Sequence, residues 1–263
     1  MLKLENIGVT FNPGTIYENQ ALKNINLQIN EGDFVTVIGS NGAGKSTLQN
    51  IISGTVFPTQ GKIFKDDTEI TNLPEYKRAK FIGRIFQNPL LGTAGKMTLK
   101  DNMTICQKKG WKGLKISQNK ENLEKFKTQL KKLDMGLEKR LNDNVEQFSG
   151  GQRQALTLLM AVMSNPSLLL LDEHTAALDP ANAEIVMRLT QNFAKENNLT
   201  VMMITHNMQH ALEYGNRLIM MDQGEIILQI SEEEKKNLTL EDLAERFQQI
   251  RKTQIVSDKM VLQ

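Results

Sequence analysis

The segment GSNGAGKST has the residue types and spacing of a phosphate-binding loop, or P-loop. It fits the pattern G-x-x-x-x-G-K-[ST], whose glycines let several backbone N–H groups point at one anion. The helix that follows adds positive potential, Lys45 would neutralise β- and γ-phosphate charge, and the Ser46 hydroxyl would bind Mg²⁺. The segment therefore predicts a nucleoside triphosphate site. Its predicted contacts are Gly39, Ser40, Asn41, Gly42, Ala43, Gly44, Lys45, Ser46 and Thr47.

A second segment, SLLLLDEHTAALDP, places two acidic residues at the end of a strand. Its run of leucines predicts a fully buried strand, and Asp172 and Glu173 follow at the carboxyl end, where parallel α/β sheets bind ligands. Asp172 is suited to hold Mg²⁺ through water or Ser46, and Glu173 to polarise a water molecule for attack on the γ-phosphate. A strand that merely ends in two acidic residues is the alternative. The P-loop earlier in the chain favours the catalytic interpretation.

Hydrophobic patterning indicates the elements that must position these residues. Alternating segments over the first 30 residues predict strands, and FVTVI leads into the P-loop as a buried strand. Compact apolar strands recur at Leu168–Leu171, Thr200–Ile204 and Arg217–Met221, separated by helical patterns. The tripeptide Asp222-Gln223-Gly224 should turn a closing hairpin. The pattern predicts an α/β core preceded by N-terminal strands.

Two stretches outside this core are predicted to be helical. From about residue 89 to 141 an apolar stripe at helical spacing indicates helices inserted into the core. After residue 230, Thr239 should cap a last amphipathic helix. The inserted stripe consists of Leu123, Phe126, Leu130 and Leu133, and the last helix carries Leu240, Leu243, Ala244, Phe247 and Ile250.

The bulk composition excludes several classes of function. Thirty-two Lys and Arg against 30 Asp and Glu leave a net charge of +2, too balanced for nucleic acid as a bulk partner. The lone cysteine, Cys106, permits no internal disulfide and suits a reducing compartment. The opening MLKLENIGVTF alternates like a strand, so we expect no signal peptide, and no window is apolar enough to predict a membrane span.

The most discriminating stretch is FSGGQRQAL, which resembles the signature of ABC-type ATPases. A hydroxyl and bare backbone amides at a helix N-terminus would make a second phosphate clamp. In that family the clamp faces the γ-phosphate held by the P-loop of the other subunit, so one chain alone would lack a complete site. The resemblance assigns this role to Ser149, Gly150, Gly151 and Gln152.

The same resemblance assigns further roles to single residues. Gln87, in RIFQNP, matches the glutamine that touches Mg²⁺ or the attacking water. His206, in VMMITHN, matches the histidine that contacts the γ-phosphate and orders Glu173, and Asp179, in AALDP, matches the aspartate that packs across the dimer. Phe11 matches best the aromatic residue that stacks on adenine, with Tyr17 as its rival.

The resemblance implies a P-loop NTPase core with an N-terminal antiparallel β subdomain and an inserted helical subdomain. The ATPase domain would span residues 1–230, with the helical subdomain at about 89–165 and a C-terminal helical extension at 231–263. The implied cofactors are ATP and Mg²⁺.

The same resemblance implies partners and a location. The partners would be a second copy of the chain, a membrane permease and an external solute-binding protein, with no nucleic acid. The location would be the cytoplasmic face of the cell membrane. The whole string is most similar to ATPase subunits of bacterial uptake systems allied to amino-acid importers. Export, and a soluble ABC ATPase that acts on nucleic acid or ribosomes, are the alternatives.

Two features leave their interpretation open. His174 stands where the family commonly has proline, and could contact the Asp179 loop or the partner subunit, or simply be tolerated. The segment KKGWKGLK, Lys108 to Lys115, suits either anionic lipid headgroups or an ordinary solvated surface.

Overall fold

A computed structural model describes residues 1–107 and 120–249 of the chain. The segment Lys108–Lys115 and Ile250 therefore lie outside the described residues. Within the described part, no helix is long and apolar enough to cross a membrane.

The N-terminal segments form a four-stranded antiparallel sheet of order β2-β1-β4-β5. Its alternating sequence places one face against the core, because successive side chains of a strand point to opposite faces. Buried residues on that face include Leu4, Ile25 and Ile63. The strands are β1 (Leu2–Phe11), β2 (Asn19–Ile29), β4 (Gln60–Lys65) and β5 (Thr68–Glu69).

The second sheet has the order β10-β9-β3-β8-β7-β6 and is parallel from β9 to β6. Its central strands are mostly apolar because helices or the first sheet cover both of their faces. The strands are β3 (Phe34–Gly39), β6 (Ile82–Ile85), β7 (Leu168–Asp172), β8 (Thr200–Ile204), β9 (Arg217–Asp222) and β10 (Glu225–Ile230).

The predicted closing hairpin is confirmed. β9 and β10 pair antiparallel from Asp222 opposite Glu225. The two linking residues both have positive φ, 45° at Gln223 and 84° at Gly224. Paired positive φ values are typical of a two-residue hairpin turn whose twist matches its strands.

Helices cover the sheets and fill the connections between strands. Those on the P-loop side are α1 (Lys45–Ser53) and α2 (Glu75–Arg78). Those between β6 and β7 are α3 (Leu99–Gln107), α4 (Lys120–Lys131) and α5 (Gly150–Met163), with single 3₁₀ turns at Leu137–Lys139 and Val145–Gln147. Those after β7 are α6 (Pro180–Glu196), α7 (Met208–Glu213), α8 (Glu232–Lys235) and α9 (240–249).

The inserted helices share a core with one face of the parallel sheet. Phe126, Leu130 and Leu133 are buried as predicted, and Leu123 is partly buried against them. The same cluster contains Ile85 of β6 and residues of β7, α5 and α6. The α/β class, the N-terminal antiparallel sheet and the inserted helices are thus confirmed. The division into units at residues 89–165 and at residue 230 stays a prediction.

Candidate functional site

The P-loop joins the end of β3 to the start of α1, and two of its glycines are required by geometry. Gly39 has φ 155°, and a Cβ there would lie 2.1 Å from the carbonyl oxygen of Met221. Gly44 caps α1 with φ 94°, and a Cβ there would lie 2.7 Å from the carbonyl oxygen of Ala21. A side chain at either position would collide with backbone, so the sharp turn that points N–H groups inward depends on glycine.

Lys45 is buried beneath this loop. Its Nζ donates to the carbonyl oxygens of Gly39 at 2.9 Å and Ser40 at 2.8 Å. Burial lowers the pKa of the Lys45 ammonium, and the carboxylates of Glu173 and Asp172 act in the opposite direction. Two of its three N–H donors are used by the described residues, so the ammonium is held inside the loop with donor capacity left for a phosphate.

The second sheet brings Glu173 and His206 together. β7 and β8 are parallel neighbours with Asp172 opposite Ile204, so the residues that follow the two strands meet at one edge. Glu173 adopts φ 47°, and its N–H donates to the Ile204 carbonyl at 3.1 Å. His206 Nε2 lies 2.5 Å from Glu173 Oε1. The left-handed backbone at Glu173 costs on the order of 1 kcal/mol and turns its carboxylate toward the histidine.

Asp172 has a neighbour that sequence reasoning missed. Arg84 of β6 places Nη2 3.9 Å from Asp172 Oδ2 and also donates to Asn50 Oδ1 of α1 at 2.8 Å. Burial raises the pKa of the Asp172 carboxyl, and the charge of Arg84 is the largest effect that opposes it. The available signal was a lone cation in the apolar strand IGRI, which pairs directly with β7.

His174 points into the core. It is 2% exposed, and its Nε2 lies 3.1 Å from the Thr190 hydroxyl of α6. Thr190 donates its own proton to the Val186 carbonyl at 2.8 Å, so its oxygen accepts from His174. Burial lowers the pKa of His174 to about 4, with a further lowering from His210. The ring is therefore neutral at pH 7 and joins the loop after Glu173 to α6.

A cavity of about 680 Å³ opens beside the P-loop. Glu173, His206 and Phe11 line it together with Asn41 to Thr47. Phe11 is 37% exposed at this cavity, whereas Tyr17 is 75% exposed and is absent from the lining among the described residues. This placement favours Phe11 over Tyr17 for base stacking, which stays a prediction. Lining residues that sequence reasoning missed are Asn19, Gln20, Ala21, Lys23, Gln223 and Gly224.

The signature residues lie apart from this cavity. Among the described residues, 149–152 and Asp179 do not contribute to its lining. Ser149 caps α5, since its hydroxyl accepts from Gln152 N–H and the Gln152 side chain accepts from Ser149 N–H, both at 3.2 Å. Gly150 and Gly151 follow as the first turn of α5.

The Asp179 loop packs on that first turn of α5. Asp179 caps α6 by accepting from the backbone and side-chain N–H groups of Asn182. A Cβ on Gly151 would lie 2.5 Å from Asn182 Oδ1, so only a glycine fits there without displacing that side chain. The signature turn and the Asp179 loop therefore share one surface of the protein.

Gln87 lies exposed just beyond β6 and is not part of the lining formed by the described residues. Gln154 of α5 donates to the carbonyl of the preceding residue, Phe86, at 3.5 Å. Gln87 therefore stands where the sheet passes to the inserted helices. The predicted contact of Gln87 with Mg²⁺ or the attacking water stays a prediction.

The predicted metal ligands are all hard oxygen donors. Ser46 offers a hydroxyl in the first turn of α1, Asp172 a carboxylate at the end of β7, and Gln87 an amide oxygen. In the described part of the chain, no cluster of three or more His, Cys, Asp or Glu residues could hold a metal. A sparse oxygen set of this kind fits Mg²⁺, which keeps waters and takes further ligands from substrate phosphates.

Comparisons with known proteins agree with this geometry. A family model described as ABC transporter matches residues 22–176. The chain is 44% identical over 257 residues to the tyrosine transport ATP-binding protein of Clostridioides difficile (strain R20291), covering 94% of this chain and 99% of the relative.

Solved structures of ATP-binding cassettes have the same fold. One is a dimer in a post-hydrolysis state bound to ADP and Pi, with a TM-score of 0.73, 31% identity and coverage of 88% of this chain and 99% of that chain. Another is a Clostridium perfringens protein described as part of an ABC transporter complex, with a TM-score of 0.76, 26% identity and 93% coverage of both chains.

Proposed function

The chain belongs to the ABC transporter family as an ATP-binding and ATP-hydrolysing subunit, and on that basis we propose that it powers amino-acid uptake through a membrane permease. The contact between Glu173 and His206, at the cavity that the P-loop borders, is the observation that carries the catalytic part of the proposal. The solute is proposed from the tyrosine transport relative, which matches this chain over nearly its whole length.

Each residue of the site has a defined task in hydrolysis. The P-loop amides and Lys45 hold the β- and γ-phosphates, and Phe11 stacks on the adenine. Glu173 accepts a proton from a water molecule while the oxygen of that water attacks the γ-phosphorus. The bond between the γ-phosphorus and the bridging oxygen then breaks, and ADP leaves. His206 orients Glu173 through their direct contact and reaches the γ-phosphate.

Mg²⁺ is the metal that we propose for this site, with Ser46, Asp172 and Gln87 as its protein contacts. When bound, it would act as a Lewis acid that neutralises charge developing on the phosphate oxygens. Arg84, 3.9 Å from Asp172, places a positive charge beside that carboxylate.

A second copy of the chain would complete the site. Ser149 to Gln152 are displayed at the N-terminus of α5, away from the cavity that their own P-loop lines. In a head-to-tail pair this turn would face the γ-phosphate of the other copy, and Asp179 would lie beside it. ATP would then favour the closed pair, and its hydrolysis would favour reopening, because only the closed form contacts the nucleotide from both sides.

The permease would dock near Gln87. The segment that follows it exposes large apolar side chains, with Leu90 at 52%, Leu91 at 66% and Met97 at 40%. Exposed apolar side chains close together in the sequence are typical of a protein-binding surface. The chain would thereby lie on the cytoplasmic face of the membrane, with a solute-binding protein outside.

Substitution of Glu173 by Gln provides the first test. The variant should bind ATP while its hydrolysis falls by about 100-fold or more, which traps the closed pair. Held in ATP and purified from solubilised membranes of the source cell, it should retain a polytopic membrane protein in stoichiometric amount. In proteoliposomes, the wild-type complex should then accumulate tyrosine when ATP is supplied.

The exposed Glu121→Gln variant is the matched control, and it should hydrolyse ATP at the wild-type rate. Recovery of ribosomes or DNA, with no membrane protein, would contradict the transport proposal. Uptake of a different amino acid would contradict only the assignment of tyrosine, and uptake of a solute of another class would contradict the assignment of an amino acid.

A further inference from the structure

His206 lies between two cavities. On one side it lines the cavity beside the P-loop. On the other it lines a smaller cavity of about 100 Å³, together with Ser40 and Phe247 of the C-terminal helix α9. The remaining lining residues of that small cavity are Ile38, Gly39, Thr205, Met208 and Met220. The last helix of the described chain thus borders His206 on the side away from the cavity beside the P-loop.

The position of His206 depends on α7, which begins two residues later. Thr205 N–H donates to the Val37 carbonyl at 3.1 Å, which ties the preceding residue to β3. Asn207 caps α7 by accepting from His210 N–H at 3.0 Å. With His206 between these two anchors, a shift of α7 relative to β3 would displace its ring.

The C-terminal segment holds α7 near both of its ends. At the C-terminal end, Lys235 of α8 donates to the carbonyl oxygens of Tyr214 at 2.5 Å and Gly215 at 2.9 Å. At the N-terminal end, Phe247 packs in the same apolar cluster as Met208. The two contacts are independent, and both come from residues after β10.

Helix α9 is itself firmly seated. Leu243 is fully buried in the cluster that includes Ala211 of α7. Thr239 caps the helix, since Asp242 N–H donates to its hydroxyl at 3.1 Å and Asp242 Oδ2 accepts from it. Leu240 of the same helix is 47% exposed, so the helix has a distinct inner and outer face.

We propose that the segment 231–249 is a clamp that positions His206 for hydrolysis, with Phe247 and Lys235 as its positioning residues. The clamp holds α7, and α7 holds the histidine at the 2.5 Å contact with Glu173. The proposal rests on the role proposed for His206. It goes beyond that role because it assigns a catalytic consequence to a segment that lines no part of the larger cavity beside the P-loop.

The main test is Phe247→Ala, with Leu240→Ala on the outer face as its matched control. Small displacements of a catalytic group cost rate rather than substrate binding, so kcat of Phe247→Ala should fall about tenfold while KM for ATP stays within about twofold. Phe247→Leu should recover most of kcat, because it refills the space with an apolar side chain. Leu240→Ala should match the wild type. Thermal unfolding is measured for each variant so that rates are compared where every protein is folded.

Histidine NMR gives a readout that a purely structural role would not move. The chain has three histidines, so ring-labelled protein shows three imidazoles, which His174→Gln and His206→Ala assign. Lys235→Met, which removes no aromatic ring, should shift the His206 signals in the nucleotide-free protein and leave those of His174 in place. An unchanged His206 spectrum, or an unchanged kcat, would overturn the clamp.

The His206→Ala variant separates this proposal from the proposed function. If it hydrolyses ATP at the wild-type rate, the catalytic role of His206 fails and the kinetic consequence of the clamp fails with it. If its kcat collapses while that of Phe247→Ala does not, the role of His206 stands and the clamp alone is rejected.

Discussion

The two ends of helix α1 each bury a cation, and the two cations are bound differently. At the N-terminal end, Lys45 donates to two carbonyl oxygens of the P-loop. Gly44 caps that end, and no side chain of the described residues accepts from its first N–H groups as a cap. At the C-terminal end, Arg78 is fully buried and donates five hydrogen bonds. Its acceptors are the carbonyl oxygens of Leu73, Ile51, Ile52, Ile70 and Thr71.

The difference separates a structural cation from a ligand-binding one. All five N–H donors of Arg78 are used, and two acceptors belong to the last turn of α1, where the helix dipole is negative. Burial lowers its pKa to about 10, so it remains charged at pH 7. At the other end the N–H groups stay available to an anion. The C-terminal carbonyls of α1 are thus satisfied within the protein, whereas its N-terminal N–H groups remain available to a ligand.

The largest effect on stability is expected at the C-terminal end of α1. Arg78→Met should destabilise the fold by about 4 kcal/mol, because several buried carbonyls lose their partner at once. Arg78→Lys keeps the charge but loses the planar guanidinium with its five donors, and it should destabilise the fold by about half as much. Urea unfolding measures both, with the exposed Arg188→Met as control. A wild-type midpoint for Arg78→Met would mean that the five bonds contribute nothing net.

The next effect should appear in binding and not in folding. Lys45→Met should weaken ATP binding by about 100-fold, roughly 2.7 kcal/mol, because the charge that faces the phosphates is removed. Its free energy of unfolding should stay level or rise, since a buried cation with two bonds is replaced by an apolar side chain. Titration with a fluorescent nucleotide measures the affinity and urea unfolding measures the stability, with the exposed Lys62→Met as control. Destabilisation of Lys45→Met as severe as that of Arg78→Met would erase the contrast between the two ends.

The smallest effect tests whether a lysine can serve as Arg78 does. Lys235 also donates to carbonyls just beyond a helix C-terminus, and burial lowers its pKa to about 8. The unfolded chain, with an ordinary lysine pKa, binds more protons above pH 8 than the folded one, so this group makes the fold more stable as pH rises.

Between pH 8 and 9 the gain in unfolding free energy should be about 1 kcal/mol, because the folded-state lysine is already half deprotonated at pH 8. The rest of the cost of burying the charge returns as pH rises toward the ordinary lysine pKa. The difference in unfolding free energy between the wild type and Lys235→Met should show this slope. Lys236→Met, at its exposed neighbour, should not alter it. A flat difference across this range would place the pKa of Lys235 outside it.

Local patterns predicted much of the fold for physical reasons that act within a few residues. The turn at Gln223-Gly224 needs positive φ, and the cap at Thr239 needs a hydroxyl before a helix, so both can be read directly from neighbours. The buried stripe through Phe126 and Leu130 follows from helical periodicity. The roles that motifs assign to site residues stay predictions, because they concern contacts with a bound ligand.

Contacts between distant segments were beyond such patterns. Arg84 meets Asp172 because β6 and β7 are neighbours in a sheet whose strand order the sequence does not state. His174 had several plausible directions, and the packing of α6 selected the buried one, with Thr190 as partner.

The sequence by itself determined that this chain has a P-loop, an acidic strand end and an ABC signature, because each depends on residue types at fixed spacing along one short segment. Only the tertiary structure decided which segments meet at His206. Glu173 reaches it through the pairing of β7 with β8, and Phe247 reaches it through the packing of α9 on α7. Such contacts depend on the free energy of burying apolar surface across the whole domain, which no local spacing encodes.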